Sequence, residues 1–314
     1  MKKLYTFFFI LSASLSFGQT SLPFSDTFSY ASGNLHETSP WSAVGTASPS
    51  DHILLDGSKV TFAGGGTDAQ VLINTQTTGT IYFKLDLKIT SMAGVTDANG
   101  GYLAGFAQNS TTFGGTLWAK RIDDNTYNLG IETRTGTGLL TTYTTSTYNT
   151  GTSYSIIISY TFNTASAADD VTKLWVNPTS SDEATPLLTD THTGTDLTQI
   201  ASFFLRQDST TETGSAEVDN LRISTTFADV LANNKFNTIA GLSVYPNPVT
   251  KGTLYITSNS DSAKSVAIFD VLGKQVLNTK TSSNTVNVST LKGGVYIIKI
   301  TEEGKTDTKK LIIE

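Results

Sequence analysis

The sequence predicts an all-β protein of two domains, a large two-sheet sandwich followed by a smaller Ig-like sandwich, on three observations. Charged residues make up only 15% of the chain. Thr, Ser, Gly and Asn crowd the gaps between short runs of Val, Ile, Leu, Phe and Tyr, the balance of a chain with many strands and turns. Segments alternating apolar and polar residues recur throughout, whereas the helical period is nearly absent after the N-terminus. The length, 314 residues, exceeds the usual single-domain range of roughly 100–200, so two domains can each bury a core.

At the N-terminus Lys2 and Lys3 precede an apolar run from Leu4 to Phe17 that ends in the small residue Gly18. A basic start, a short apolar stretch and a small residue describe a cleavable export signal over residues 1–18, leaving Gln19 as the mature start. The run is too short for a comfortable membrane span of about 20 residues, and no Lys or Arg follows it as a stop-transfer flank.

From Ser21 the best strand segments are Val71–Asn74, Thr80–Ile89, Tyr102–Gln108, Thr116–Ile122, Tyr127–Thr133, Ser153–Phe162, Thr172–Val176, Ile200–Gln207 and Glu217–Ser224. So many strands imply two sheets. In Thr80–Ile89, Ile81, Phe83, Leu85, Leu87 and Ile89 share one face while Lys84, Asp86 and Lys88 share the other, so this strand covers a core on one side only. Asp123, Asp124 and Asn125 supply a reversal between two strands, because Asp and Asn tolerate left-handed backbone. Asn99, Gly100 and Gly101 before Tyr102 read as a tight turn, or else as a loop lying close to a ligand.

The net charge of −6 and the absence of any basic stripe argue against a nucleic-acid partner. With no cysteine, disulfides, thiolate metal sites and a Cys nucleophile are excluded, and stability rests on packing.

The opening "PFSDTFSYASGNL", "LWVNP" at Leu174–Pro178 and "EVDNLRIST" at Glu217–Thr225 resemble the concanavalin-like, laminin G-like jelly-roll domains of secreted bacterial proteins, over about residues 21–227. The resemblance implies a jelly-roll domain over residues 19–227 and leaves the activity open, since that fold carries glycan binders, glycan-cleaving enzymes and modules without chemistry.

A glycan hydrolase needs two carboxylates flanking the scissile bond. The Glu-x-Asp-x-x-Glu strand of the laminarinases that resemble this domain in fold is missing here. Glu132 stands alone, with Arg134 on the same strand face, an arrangement expected of a cross-strand ion pair. Glu217 and Asp219 alternate correctly but sit in the closing strand, where the resemblance suggests an architectural role. His36, His52 and His192 fall in loop-like segments without a second His at metal-binding spacing, and read as surface residues rather than bases or ligands. The residues therefore lean away from an enzyme.

Glycan binding asks for less: aromatic plates, hydrogen-bonding side chains and a sheet to present them. Trp118 and Lys120 share a face across the hairpin from Asn128, Glu132 and Arg134, or from Tyr127 if the register differs by one, and Arg206 lies on another strand. Trp118 and Trp175 sit inside apolar strands, where core packing competes with exposure, and Trp41 follows Pro40 in a loop. For a structural calcium, which the jelly-roll resemblance favours, Asp97 and Asn99 are the first candidates, with Asp123, Asp124 and Asn125, or Asp169 and Asp170, as alternatives, since this hard cation takes loop oxygens.

Residues 228–241 are polar, without strand alternation, and read as a linker. From Leu242 six or seven short strands fit into the remaining chain, the density of a small Ig-like sandwich. Its landmarks are "VYPNP" at Val244–Pro248, "IFDVLGKQV" at Ile268–Val276, "LKGGVYIIKI" at Leu291–Ile300 and the terminal "KKLIIE". In that order they closely resemble the type A C-terminal sorting domain of the type IX secretion system of Bacteroidetes. That resemblance implies recognition of residues 242–314 by an outer-membrane translocon, their removal during export, and release or surface attachment of the rest. The reading is a secreted or cell-surface protein whose jelly roll binds extracellular carbohydrate. A polysaccharide-degrading hydrolase or lyase, and a structural or adhesive surface protein, stand as the alternatives.

Overall fold

The structure is a computed structural model. It describes residues 18–314 except 63, 137–139, 192–193, 233–238, 240, 261 and 304, so nearly all of the expected export signal lies outside the described residues. Two compact units divide the chain, one ending at Ala232 and the other beginning at Asn233.

Two antiparallel sheets build the first unit. One orders its strands Leu188–Asp190, Val171–Val176, Tyr154–Phe162, Gly79–Ser91, Ser215–Ser224, Val60–Phe62, Leu54–Leu55 and Gly33–Asn34, with Phe24–Asp26 also paired to Ser215–Ser224. The other orders Thr142–Tyr143, Thr126–Thr135, Thr112–Asp123, Gly101–Asn109, Ile200–Leu205, Ala69–Gln76 and Trp41–Ala43, with Tyr148–Asn149 also on Thr126–Thr135. Neighbours distant in sequence, such as Gly101–Asn109 beside Ile200–Leu205, are the non-local pairings of a jelly-roll sandwich.

Period-two alternation places the core. In Gly79–Ser91 the residues Ile81, Phe83, Leu85, Leu87 and Ile89 are all buried in the sandwich, while Lys84 pairs with Asp86 at 2.7 Å on the other face. Phe83 meets Phe106 and Phe203 of the facing sheet at 5.2 and 5.0 Å between ring centres. Each such side chain contributes about 1.5–3 kcal/mol by leaving water. Trp41, expected in a loop, lies on a strand and is wholly buried, with Nε1 donating to Asp26 Oδ2 at 2.8 Å. Burial raises the Asp26 carboxyl pKa above the ordinary value against these hydrogen bonds.

The expected linker begins instead as part of this unit. Phe227–Leu231 is a short helix whose N-cap, Thr226, accepts from Asp229 N at 3.2 Å. Phe227 and Val230 pack on Tyr82, Ile157 and Trp175 from the outer face of the first sheet. That segment looked polar because its two apolar anchors are a helical turn apart rather than alternating. Trp175 is thereby also packed, and its Nε1 donates to Asp182 O at 2.7 Å.

The second unit is a smaller sandwich of a three-stranded sheet, Ser243–Tyr245, Thr253–Thr257 and Thr285–Asn287, and a four-stranded one, Gln275–Thr281, Lys264–Phe269, Gly294–Glu302 and Lys305–Ile313. Val249, Leu254, Ile256, Val266, Ile268, Ile298, Ile300 and Leu311 are fully buried between them. In the turn after Phe269, Asp270 Oδ1 accepts the amides of Leu272 and Lys274 at 2.9 and 3.0 Å.

Candidate functional site

In the second sheet of the first unit, Leu117, Ala119, Leu129 and Ile131 point into the core, so the residues between them share the opposite face. Backbone register places Lys120 opposite Asn128, Trp118 opposite Gly130, Thr116 opposite Glu132 and Gly114 opposite Arg134. Tyr127 goes inward, wholly buried, which decides between the two registers left open by the sequence. Arg206 extends from the end of Ile200–Leu205 on the same face, its guanidinium 4.4 Å from the ring centre of Tyr102.

Tyr102 is the residue that joins the predicted ones. It pairs with Trp118 across the strands, ring centres 5.0 Å apart, and approaches Phe113 at 6.3 Å and Phe204 at 6.1 Å. The result is an aromatic floor with a cation on it. Trp118 itself is 4% exposed, with Nε1 donating to Thr116 Oγ1 at 2.9 Å, so it underlies the floor while Tyr102 is half-buried at its surface. Lys120 Nζ stands 5.4 Å from the centre of the Tyr143 ring. Gly130 makes room for that ring, since a Cβ there would lie 2.6 Å from it.

Carboxylates outnumber the cation around Arg206. Asp68 Oδ2 lies 3.2 Å and Asp208 Oδ2 2.9 Å from its terminal nitrogens. Burial pushes the Asp68 carboxyl up to about 6, against the pull of Arg206. Glu212, whose backbone packs against Gly101, is pushed up to about 7, first by its hydrogen bond to Asp208 and then by burial. Asp208 is held below its ordinary value against its burial, by hydrogen bonds from Glu212 and Arg206. Neither acid was legible in sequence, because the loop carrying them follows a strand with no motif of its own.

Other predicted residues hold hydrogen bonds and ion pairs within this unit. Arg134 donates from Nε to Thr195 O at 3.1 Å, and from one terminal nitrogen to Phe113 O at 2.9 Å and Thr135 O at 2.7 Å. Glu132 is 2% exposed and accepts from Leu140 N at 3.4 Å. Asn128 Nδ2 donates to Ser146 O at 2.9 Å. Glu217 pairs with Lys59 and Lys88, each at 3.3 Å.

The calcium candidates hold hydrogen bonds within their own loops. Asp97 Oδ1 accepts Asn99 N at 2.7 Å in an Asx turn, and the Asn99 carbonyl accepts from Tyr143 OH. Asp169 and Asp170 are joined by Asp196 in a group whose ligand atoms lie within 4.8 Å of one another. Yet Asp170 accepts from Tyr160 OH and Asn163 N, Asp196 from the amides of Asp169 and Asp170, and Asp169 Oδ2 from those of Ala165 and Ser166. Only Asp169 Oδ1 is left buried without a partner, so the cluster reads as a set of loop caps.

His192 lies outside the described residues. His36 and His52, expected as separate surface residues, are neighbours with ring centres 4.8 Å apart, and the His36 side chain is 8% exposed. The contact joins a 3-10 turn to a separate bridge segment, which spacing along the chain does not reveal.

Residues 243–314 match the family described as the secretion system C-terminal sorting domain. The second unit is thus a type IX sorting domain, which directs export to the cell surface or the medium. Ulvan lyase NLR42 of Nonlabens ulvanivorans is 37% identical over 79 residues, which is 24% of this chain and 15% of that protein; the chain thus spans a small part of that relative's length. Among solved structures, alginate lyase Aly36B aligns with 64% of this chain and 97% of its own at 16% identity and a TM-score of 0.39. An endo-1,3-beta-glucanase from Streptomyces sioyaensis aligns with 67% of this chain and 97% of its own at 15% identity and a TM-score of 0.37. The carbohydrate recognition domain of Emp47p aligns with 60% and 89% at 10% identity and a TM-score of 0.35. Nothing about the chemistry of this chain follows from likenesses of that size.

Proposed function

We propose that the first unit binds an extracellular polysaccharide on the face carrying Tyr102, Trp118 and Arg206, and that the sorting domain delivers it to the cell surface or the medium. The observation that carries this reading is the Tyr102 ring, half-buried, beside Trp118 at 5.0 Å and with the Arg206 guanidinium over it at 4.4 Å. A planar guanidinium laid on an aromatic ring offers fixed donors to the hydroxyls of a pyranose ring, whose C–H face packs on the exposed part of the aromatic surface. Arg206 already faces Asp68 and Asp208, and Glu212 is close to Asp208. That excess of carboxylate favours a neutral polymer over a polyuronate, whose own carboxylates would meet these acids.

A second reading, cleavage of the bound chain, is favoured by the placement of Glu212 beside Asp208, where their hydrogen bond and then burial push the Glu212 carboxyl up to about 7, the direction a general acid requires. Affinity gels containing a soluble neutral β-glucan or alginate, run beside assays for reducing ends and for unsaturated uronate, separate the readings. Retardation by the neutral glucan without product supports binding. Reducing ends support cleavage, and migration unchanged in every gel overturns both.

A further inference from the structure

His36 and His52 stand with ring centres 4.8 Å apart and planes tilted by 39°. His36 belongs to the 3-10 turn Leu35–Glu37, and His52 makes a parallel bridge to Thr67. Beside the rings the two segments are joined by a hydrogen bond from Leu35 N to Ile53 O at 2.9 Å. Leu35 and Ile53 are both fully buried in the sandwich core. The imidazoles are therefore mounted on backbone anchored by the core, the rigid support that a ligand set needs.

Their nitrogens are the informative atoms. Nδ1 of His36 and Nδ1 of His52 are both buried without a hydrogen-bond partner. A buried polar atom left unsatisfied costs about 1–3 kcal/mol, and two such atoms on adjacent rings ask for a common explanation. Across the His36 ring, Nε2 faces Glu37 Oε1 at 3.8 Å. A carboxylate on the far side of a histidine favours the proton on that nitrogen and leaves the lone pair on the other.

We propose that His36 and His52 are two ligands of a divalent transition-metal site of the Zn2+ type, whose remaining positions are completed from the cleft beside His52. Zn–N bonds of about 2.0–2.1 Å put the centres of two imidazoles on one ion roughly 4.5–5.2 Å apart, for N–metal–N angles between about 90° and 110°. The observed 4.8 Å falls in that interval. His52 lines a cleft of about 520 Å3, and among the described residues no Asp or Glu brings a third ligand atom within 4.8 Å of the two imidazoles, so water from the cleft takes the remaining positions. Two imidazoles select Zn2+ or Cu2+ over Ca2+, which takes oxygen ligands. Any proton on either Nδ1 passes to solvent when the metal–nitrogen bond forms, so affinity falls as pH drops through the histidine range.

The test is equilibrium dialysis of the full chain from Gln19 against Zn2+, with nitrogen hyperfine coupling read by electron paramagnetic resonance after substitution by Cu2+. The expected result is one Zn2+ per chain, with a Cu2+ signal split by two nitrogens. His36→Gln and His52→Gln each weaken binding by more than about 100-fold, and Glu37→Gln by about 10-fold, since outer-shell partners alone account for 10–100-fold. His192→Gln leaves binding unchanged. Equal binding by the wild type and the folded His52→Gln variant overturns the site, as does loss of binding on His192→Gln. Absence of Zn2+ binding by the wild type overturns it too. Should His36→Gln fail to fold, His52→Gln and the Cu2+ spectrum decide.

Discussion

Lys264 Nζ and Glu302 Oε1 lie 2.8 Å apart inside the sorting domain, with the two side chains 0% and 3% exposed. The ammonium also donates to Asn284 Oδ1 at 3.0 Å and to the carbonyls of Ser260 and Ser262 at 3.3 and 3.2 Å, and Glu302 Oε1 accepts from Ser258 Oγ at 3.0 Å. A buried ion pair does little for stability unless its remaining donors and acceptors are satisfied, and here these hydrogen bonds supply that. Glu302→Gln or Lys264→Met leaves one charge buried without its partner, an expected loss of about 3–5 kcal/mol. Urea unfolding of the full chain, read in the transition of the second unit, checks this. A change within about 0.5 kcal/mol would mean that water reaches the pair.

Phe227 should behave as core and not as linker. Its ring lies 5.0 Å from Trp175 and 5.9 Å from Tyr82, so Phe227→Ala is expected to destabilise the first unit by about 3–5 kcal/mol. A chain truncated after Thr226 should lose as much, whereas one ending at Ala232 should melt like the intact first unit.

On the glycan face, Tyr102→Ala is expected to weaken retention by the neutral glucan about 10-fold, and Tyr102→Phe to change it little, because the ring does the stacking. Arg206→Lys keeps the charge but loses the planar fork shared between Asp68 and Asp208, and should also weaken retention. Trp118→Ala is the less informative variant, because this buried indole will cost about 3–5 kcal/mol of stability whatever its part in binding.

The acids near Arg206 make stability depend on pH in a stated direction. Asp68 is raised from 3.8 to about 6 and Glu212 from 4.5 to about 7. The folded state therefore holds more protons than the unfolded one between about pH 4 and 7. Their contribution is fully present below pH 4 and is lost as pH rises through about 6 and 7. Melting curves from pH 4 to 8 should show this decline, shallower in Glu212→Gln, which has no carboxyl proton to give up. An identical slope in that variant would remove the Asp208–Glu212 pair as its source.

What the sequence determined by itself is the local part. Alternation in Thr80–Ile89 identified the core face that the structure buries, because side-chain direction in a strand follows from backbone pleating alone. The same logic placed Trp118, Lys120, Glu132 and Arg134 on one face, and the sorting domain was legible because its motifs are short and ordered. Only tertiary structure decided that Tyr102 lies beside Trp118, that Glu212 reaches Asp208 in the loop behind Gly101, that Phe227 closes the first sheet and that His36 meets His52. Asp208 and Glu212 are four residues apart in one loop and Tyr102 meets Trp118 across a hairpin, but the fold of the loop, the register of the hairpin and the contacts of Phe227 and of the two histidines are all fixed by packing beyond any one strand. Their neighbours are set by sheet order and loop closure across the whole sandwich, which no window of local alternation contains.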